Sequence, residues 1–145
     1  MPIPRFSRFG RVVAAVILLT AATAGAAPAS LYDRLGGNDG LSGIVKELID
    51  RSRTGPNTSR SFEKVNLKRL GQQLTIHLCS LTGGPCTFTG DDMKTTHAGQ
   101  DITQAEFYAL VETLRQVLDD RGVGTREKNE LLALLAPFKR DVVTR

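Results

Sequence analysis

The 145-residue chain has no Trp, and only two Tyr, two Cys and two His. Two Cys are too few for a disulfide-dense scaffold. Two His, with cysteines not spaced as a zinc knuckle, cannot close a tetrahedral zinc site. Acidic residues are missing from the N-terminus: none precedes Asp33, while Arg5, Arg8 and Arg11 fall within the first eleven positions. The formal net charge of +4 comes from 19 basic and 15 acidic side chains. Without those three arginines the balance is 16 to 15, or +1. The isoelectric point of 9.4 is therefore largely a property of the N-terminal segment. It gives little support for nucleic-acid binding. Internal repeats, low-complexity tracts and strand-like alternation are absent as well, so a single domain with one core is expected.

Residues 1–26 read as a secretory signal peptide. Arg5, Arg8 and Arg11 form a positive n-region, and Val12 to Thr23 an apolar h-region. That run is too short for a bilayer-spanning helix of about 20 residues. Ala24-Gly25-Ala26 has the small-residue pattern of a cleavage site. The expected mature domain covers residues 27–145, in a periplasmic or secreted location and without a membrane anchor after cleavage. No Cys follows the site to carry a lipid.

Helical spacing dominates the rest. Leu41, Ile44, Val45, Leu48 and Ile49 share one face, after the breaker Gly36-Gly37. Val65, Leu67, Leu70, Leu74, His77, Leu78 and Leu81 mark a second helix, stopped at Gly83-Gly84-Pro85. Phe107, Leu110, Val111, Leu114, Val117 and Leu118 mark a third, opened by a Thr103/Glu106 capping box. Leu131, Leu132, Leu135, Phe138 and Val142 mark the last, with Pro137 expected to bend or shorten it. The polar stretch from Arg53 to Arg60 has loop composition. The third and fourth helices are expected to pack as antiparallel neighbours across the turn at Gly122–Gly124. The fold class is all-α.

The scarcity of histidine makes each one informative. Asp91 or Asp92 can open a short helix that Gly99 closes, with Met93 and His97 on one face. Spacing leaves two readings of His97 open. The commoner is a solvated imidazole at a helix terminus. The other is an axial ligand to a metal or haem, with the second ring nitrogen donating to a backbone carbonyl. His77 lies on the apolar stripe of the second helix, where a lone His is usually a core-edge residue. The absence of C-x-x-C-H removes the basis for covalent c-type attachment. Cys79 and Cys86 flank the Gly-Gly corner, within reach of a disulfide. Two buried thiols and a redox-active pair are the other readings.

Leu31-Tyr32-Asp33-Arg34-Leu35-Gly36-Gly37, Thr82-Gly83-Gly84-Pro85, Phe88-Thr89-Gly90, Met93-Lys94 and His97-Ala98-Gly99 occur in an order and spacing that resembles the truncated haemoglobins, group I in particular. The resemblance runs from Leu31 to Val143. It implies a two-over-two helical sandwich around non-covalent haem b, with His97 as the proximal iron ligand. It further implies that Phe62 packs on the haem face and that Leu70 and Leu74 form the distal wall. Phe88, Met93, Ile102, Phe107 and Val111 would line the pocket, and Lys94 would approach a propionate.

One departure matters. Many group I members carry a Phe-Tyr pair near the end of the second family helix, and its hydroxyl steadies bound oxygen; here Leu48-Ile49 stands in that place. Neither side chain donates a hydrogen bond. Gln72, Gln73 and His77 are the remaining polar candidates. His77 is read as lining the haem edge, bonding to the ligand, or coordinating iron. The resemblance implies a protein that reversibly binds diatomic gases (O2, NO or CO). The alternatives are a haem oxidoreductase, such as a nitric-oxide dioxygenase or peroxidase-like enzyme drawing on an external reductant, and a haem-free helical interaction domain.

Overall fold

Capping chemistry sets where each helix begins in the computed structural model, which describes residues 27–145; the expected leader, 1–26, lies outside them. Ser30 opens α1 (Leu31–Arg34): its hydroxyl accepts from the Asp33 amide, and Asp33 accepts from the Ser30 amide in return. Gly36 and Gly37 follow at φ 89° and 64°, a left-handed pair that L side chains adopt only with strain. Their turn leads into α2 (Gly37–Ser52). The Thr58 hydroxyl then donates to the Ser52 carbonyl, and residues 59–62 form a short 3-10 turn that overlaps the end of the expected loop.

The next helix, α3 (Leu67–Leu81), starts two residues later than the apolar spacing suggests. The Asn66 side chain accepts from the Arg69 amide and so makes Asn66 the cap, leaving Val65 outside. Asp92 caps α4 (Met93–His97), as one of the two expected openers. The Thr103/Glu106 capping box forms as expected at the head of α5 (Gln104–Asp120). Pro137 divides the last apolar stripe. α6 (Thr125–Leu135) gives way to a 3-10 turn at Ala136–Phe138 and then α7 (Lys139–Val142).

α2 packs most extensively against α3 and then against α5. α6 lies against α1. It also shares one core cluster with α5 across the turn that joins them: Leu114, Val117, Leu118 and Leu131 join Leu41, Ile44, Val45 and Leu78 there. Each such side chain removed from water stabilises the fold by about 1.5–3 kcal/mol before entropy is counted. All five residues assigned to the α2 face are buried. At the far end, Tyr32 donates its amide to the Thr82 carbonyl at 2.9 Å and pins α1 to the end of α3. A Cβ on Gly84 would meet Cys79 Sγ and the Tyr32 ring at 2.6 Å, so only glycine lets the corner close here. Among the described residues no strand occurs, and no helix is long and apolar enough to cross a membrane.

Candidate functional site

His97 is the last residue of α4, a helix of five residues. So short a helix cannot hold itself and takes its position from its attachments. α4 rests against α7. The His97 Nδ1 lies 2.7 Å from the Met93 carbonyl oxygen, one turn back on the same face. A carbonyl only accepts, so Nδ1 carries the proton and donates. Nε2 then holds a free lone pair, and among the described residues it has no hydrogen-bond partner. This tautomer-fixing contact is the arrangement that orients a metal-binding imidazole. Among the described residues no cluster of three His, Cys, Asp or Glu side chains exists to hold a metal ion directly. An iron held at His97 therefore needs its remaining ligands from a macrocycle.

His77 projects from α3 into an aromatic cage. Its ring meets Phe88 edge-on at 4.6 Å between centroids and Phe138 at 5.3 Å. Both ring nitrogens are buried without a partner. Burial pushes its pKa below the usual histidine value, so the ring is neutral at pH 7. A Cβ on Gly90 would meet the Phe88 ring at 2.5 Å and Gln73 Oε1 at 3.0 Å, so Gln73 sits beside the same loop. Gln72 goes elsewhere. It lines an open groove of about 590 Å³ between α2 and α3, together with Val45, Ile49, Gly71 and Ile76. That groove contains none of Leu70, Leu74, His77 or His97.

The other predicted site residues share a character. Phe62, Leu70, Leu74, Phe88, Met93, Phe107 and Val111 are all half-buried, with Lys94 exposed and Ile102 buried. Ile102 is fixed by its backbone. Its amide donates to the Thr144 hydroxyl, and its carbonyl accepts from the Thr144 and Arg145 amides. Cys79 and Cys86 are joined in a disulfide with Cα atoms 5.8 Å apart. It fastens the end of α3 to the loop that carries Phe88.

A family model described as bacterial-like globin matches residues 30–144. The chain belongs to the bacterial-like globins. It is 34% identical over 120 residues to the group 1 truncated haemoglobin GlbN of Mycolicibacterium paratuberculosis, covering 82% of this chain and 88% of that protein. A group 1 truncated haemoglobin of Tetrahymena pyriformis is 24% identical, over 80% of this chain and 96% of its own. Among solved structures, the Fe(III) form of a truncated haemoglobin from Tetrahymena pyriformis superposes with a TM-score of 0.76. That match has 23% identity and covers 81% of this chain and all of that one. The two-over-two globin fold is thereby established.

This globin is a haem-binding protein that takes diatomic gas ligands, and its haem b is held without covalent attachment. The residues present fit that group. One imidazole has its second nitrogen already committed, and a set of half-buried apolar side chains offers surface to a flat apolar ring. The unpartnered His77 nitrogens and the proximity of Phe138 were not legible from spacing. The lone His on an apolar stripe was the only signal for the first, and Phe138 read as one more core residue.

Proposed function

We propose that this globin is an exported gas binder whose iron is held by His97 Nε2 and whose distal side gives a bound gas no hydrogen bond. The single observation behind the first part is the 2.7 Å contact from His97 Nδ1 to the Met93 carbonyl. It leaves one lone pair, on one nitrogen, in a fixed direction. Haem, when bound, supplies the iron centre at which a diatomic gas coordinates. The chain does the rest. His97 would hold the metal, Phe62, Met93, Phe107 and Val111 would keep water from the ring, and the exposed Lys94 would offer its charge to an acidic ring substituent.

Support for the second part comes from α2. Leu48 and Ile49, 7% and 6% exposed, stand where a hydroxyl would be needed. Leu70 and Leu74 add no donor. Gln72 faces the α2–α3 groove, Gln73 lies against the Phe88–Gly90 loop, and His77 is enclosed by Phe88 and Phe138. Oxygen should therefore leave quickly, which favours a binder with rapid exchange over a store. The leader pattern at residues 1–26 and the Cys79–Cys86 disulfide both suit an oxidising compartment outside the cytoplasm.

Visible spectra of the ferric, ferrous and CO-bound states test the reading. A Soret band that shifts with oxidation state and CO is expected after haem reconstitution, and its absence would overturn the proposal. Ile49→Tyr, by restoring one donor, should slow oxygen release by about tenfold. An unchanged rate would show that the distal side already supplies a hydrogen bond.

A further inference from the structure

Arg60 belongs to the 3-10 turn Ser59–Phe62, which also carries Phe62. Its guanidinium reaches across to the segment that follows His97. Nε donates to Glu106 Oε1 at 2.7 Å and Nη2 to Glu106 Oε2 at 2.7 Å. Nη1 donates to the Gln100 carbonyl at 3.3 Å and Nη2 to the Asp101 carbonyl at 2.9 Å. One planar fork thus serves a carboxylate and two consecutive carbonyls, a set that a lysine point charge cannot match.

Glu106 is itself immobilised. Its oxygens also accept from the Ser61 hydroxyl and from the Thr103 amide and hydroxyl. Its carboxyl is held down to about 2, chiefly by the Arg60 hydrogen bond, so the partner stays charged at any physiological pH.

The tethered segment needs such a hold. Gly99 and Asp101 both have positive φ, 73° and 50°. For Asp101, an L residue, that is a strained conformation that persists only where neighbours enforce it. The Gln100 amide donates to the His97 carbonyl at 3.2 Å, and the Gln100 side chain donates to the Thr96 carbonyl at 2.8 Å. A chain of bonds therefore runs from Arg60 through Gln100 to the last turn of α4.

We propose that Arg60 is a positioning residue for His97: by holding the Gln100 and Asp101 carbonyls against Glu106, it sets the direction in which the His97 imidazole presents Nε2. This rests on the reading of His97 as the iron ligand. Arg60 is 53% exposed, but the Glu106 side chain is only 13% exposed and the pair is bidentate, so losing it acts on the geometry of this segment as well as on stability.

The test is Arg60→Met in the haem-loaded protein, with Arg60→Lys, Arg53→Met and His97→Gly alongside. In Arg60→Met the ferrous iron–imidazole stretching band in the Raman spectrum should be displaced or broadened. Haem loss to an acceptor apoglobin should rise by about threefold to tenfold, below the ~10–100-fold typical when a ligand's direct partner is removed. Amides of residues 98–103 should gain more exchange than those of α2 and α5. Arg60→Lys should recover only part of this. Arg53, which pairs with Asp50 alone, should move neither band nor haem loss. A band and haem-loss rate in Arg60→Met equal to those of the unaltered protein would overturn the proposal while leaving His97 as ligand. A band that survives His97→Gly would overturn both.

Discussion

Around α2, α5 and α6 the chain closes on itself: Leu41, Val117, Leu118 and Leu131 expose no surface. Around α4 it does not. Phe62, Leu74, Phe88, Met93, Phe107 and Phe138 all remain half-buried, and the elements there are short. The closed region is held by many interchangeable apolar contacts. The open one is held by a few specific polar attachments: Arg60 on Glu106, Thr144 on Ile102, and the disulfide on the loop before α4. The difference separates what folds the domain from what shapes its site. The first loses stability with every buried side chain removed, whereas the second loses its shape with single polar attachments and gains most from a bound apolar group.

Leu131→Ala should open a cavity in the closed region and destabilise the protein by about 2–5 kcal/mol. Chemical denaturation should show the same loss with and without haem. A loss confined to the haem-free form would mean that the two regions are not separate. Reduction of Cys79–Cys86 lies on the border between them. Releasing so short a loop should lower stability by about 2.5 kcal/mol on chain-entropy grounds. The loop carrying Phe88 should become the first to exchange its amides, and uniform loss of protection would contradict this.

A smaller effect belongs to His77. Its two unpartnered nitrogens are a desolvation penalty in the haem-free protein. His77→Phe should raise that form's stability by about 1 kcal/mol. The folded pKa lies below the unfolded value of 6.5, so the unfolded chain takes up the proton more readily. Stability should therefore fall as pH drops through 6.5, and the substitution should flatten that slope. A variant that is no more stable would place a partner on the ring. Glu106 acts at the opposite end of the pH range. Its folded pKa, about 2, is below the ordinary 4.5. Its contribution is complete above 4.5 and disappears as pH falls toward 2. Urea midpoints between pH 7 and 2 should show that loss, and Glu106→Gln should remove it.

The closed region was legible because burial imposes period. Leu41, Ile44, Val45, Leu48 and Ile49 could be assigned to one face from spacing alone, and Thr103 with Glu106 announced the start of α5. The site was legible only in part. His97 stood out because histidine is scarce, yet a bond from its ring to a backbone carbonyl belonged to one of two readings, and spacing did not single out the Met93 carbonyl. Arg60 was hidden in a polar stretch that read as loop. Its role depends on Glu106, Gln100 and Asp101, all about 40 or more positions away, and no local pattern encodes such a contact. Gln72 and Gln73, adjacent in sequence, face different surroundings because one helix residue is a rotation of about 100°.

The account stands on His97, and exchange of its side chain for a free ligand addresses it directly. In His97→Gly, haem should be lost or only weakly held, and added imidazole should restore the spectrum of the unaltered ferrous protein. Haem retained with an unchanged spectrum, in the variant and without imidazole, would contradict the assignment.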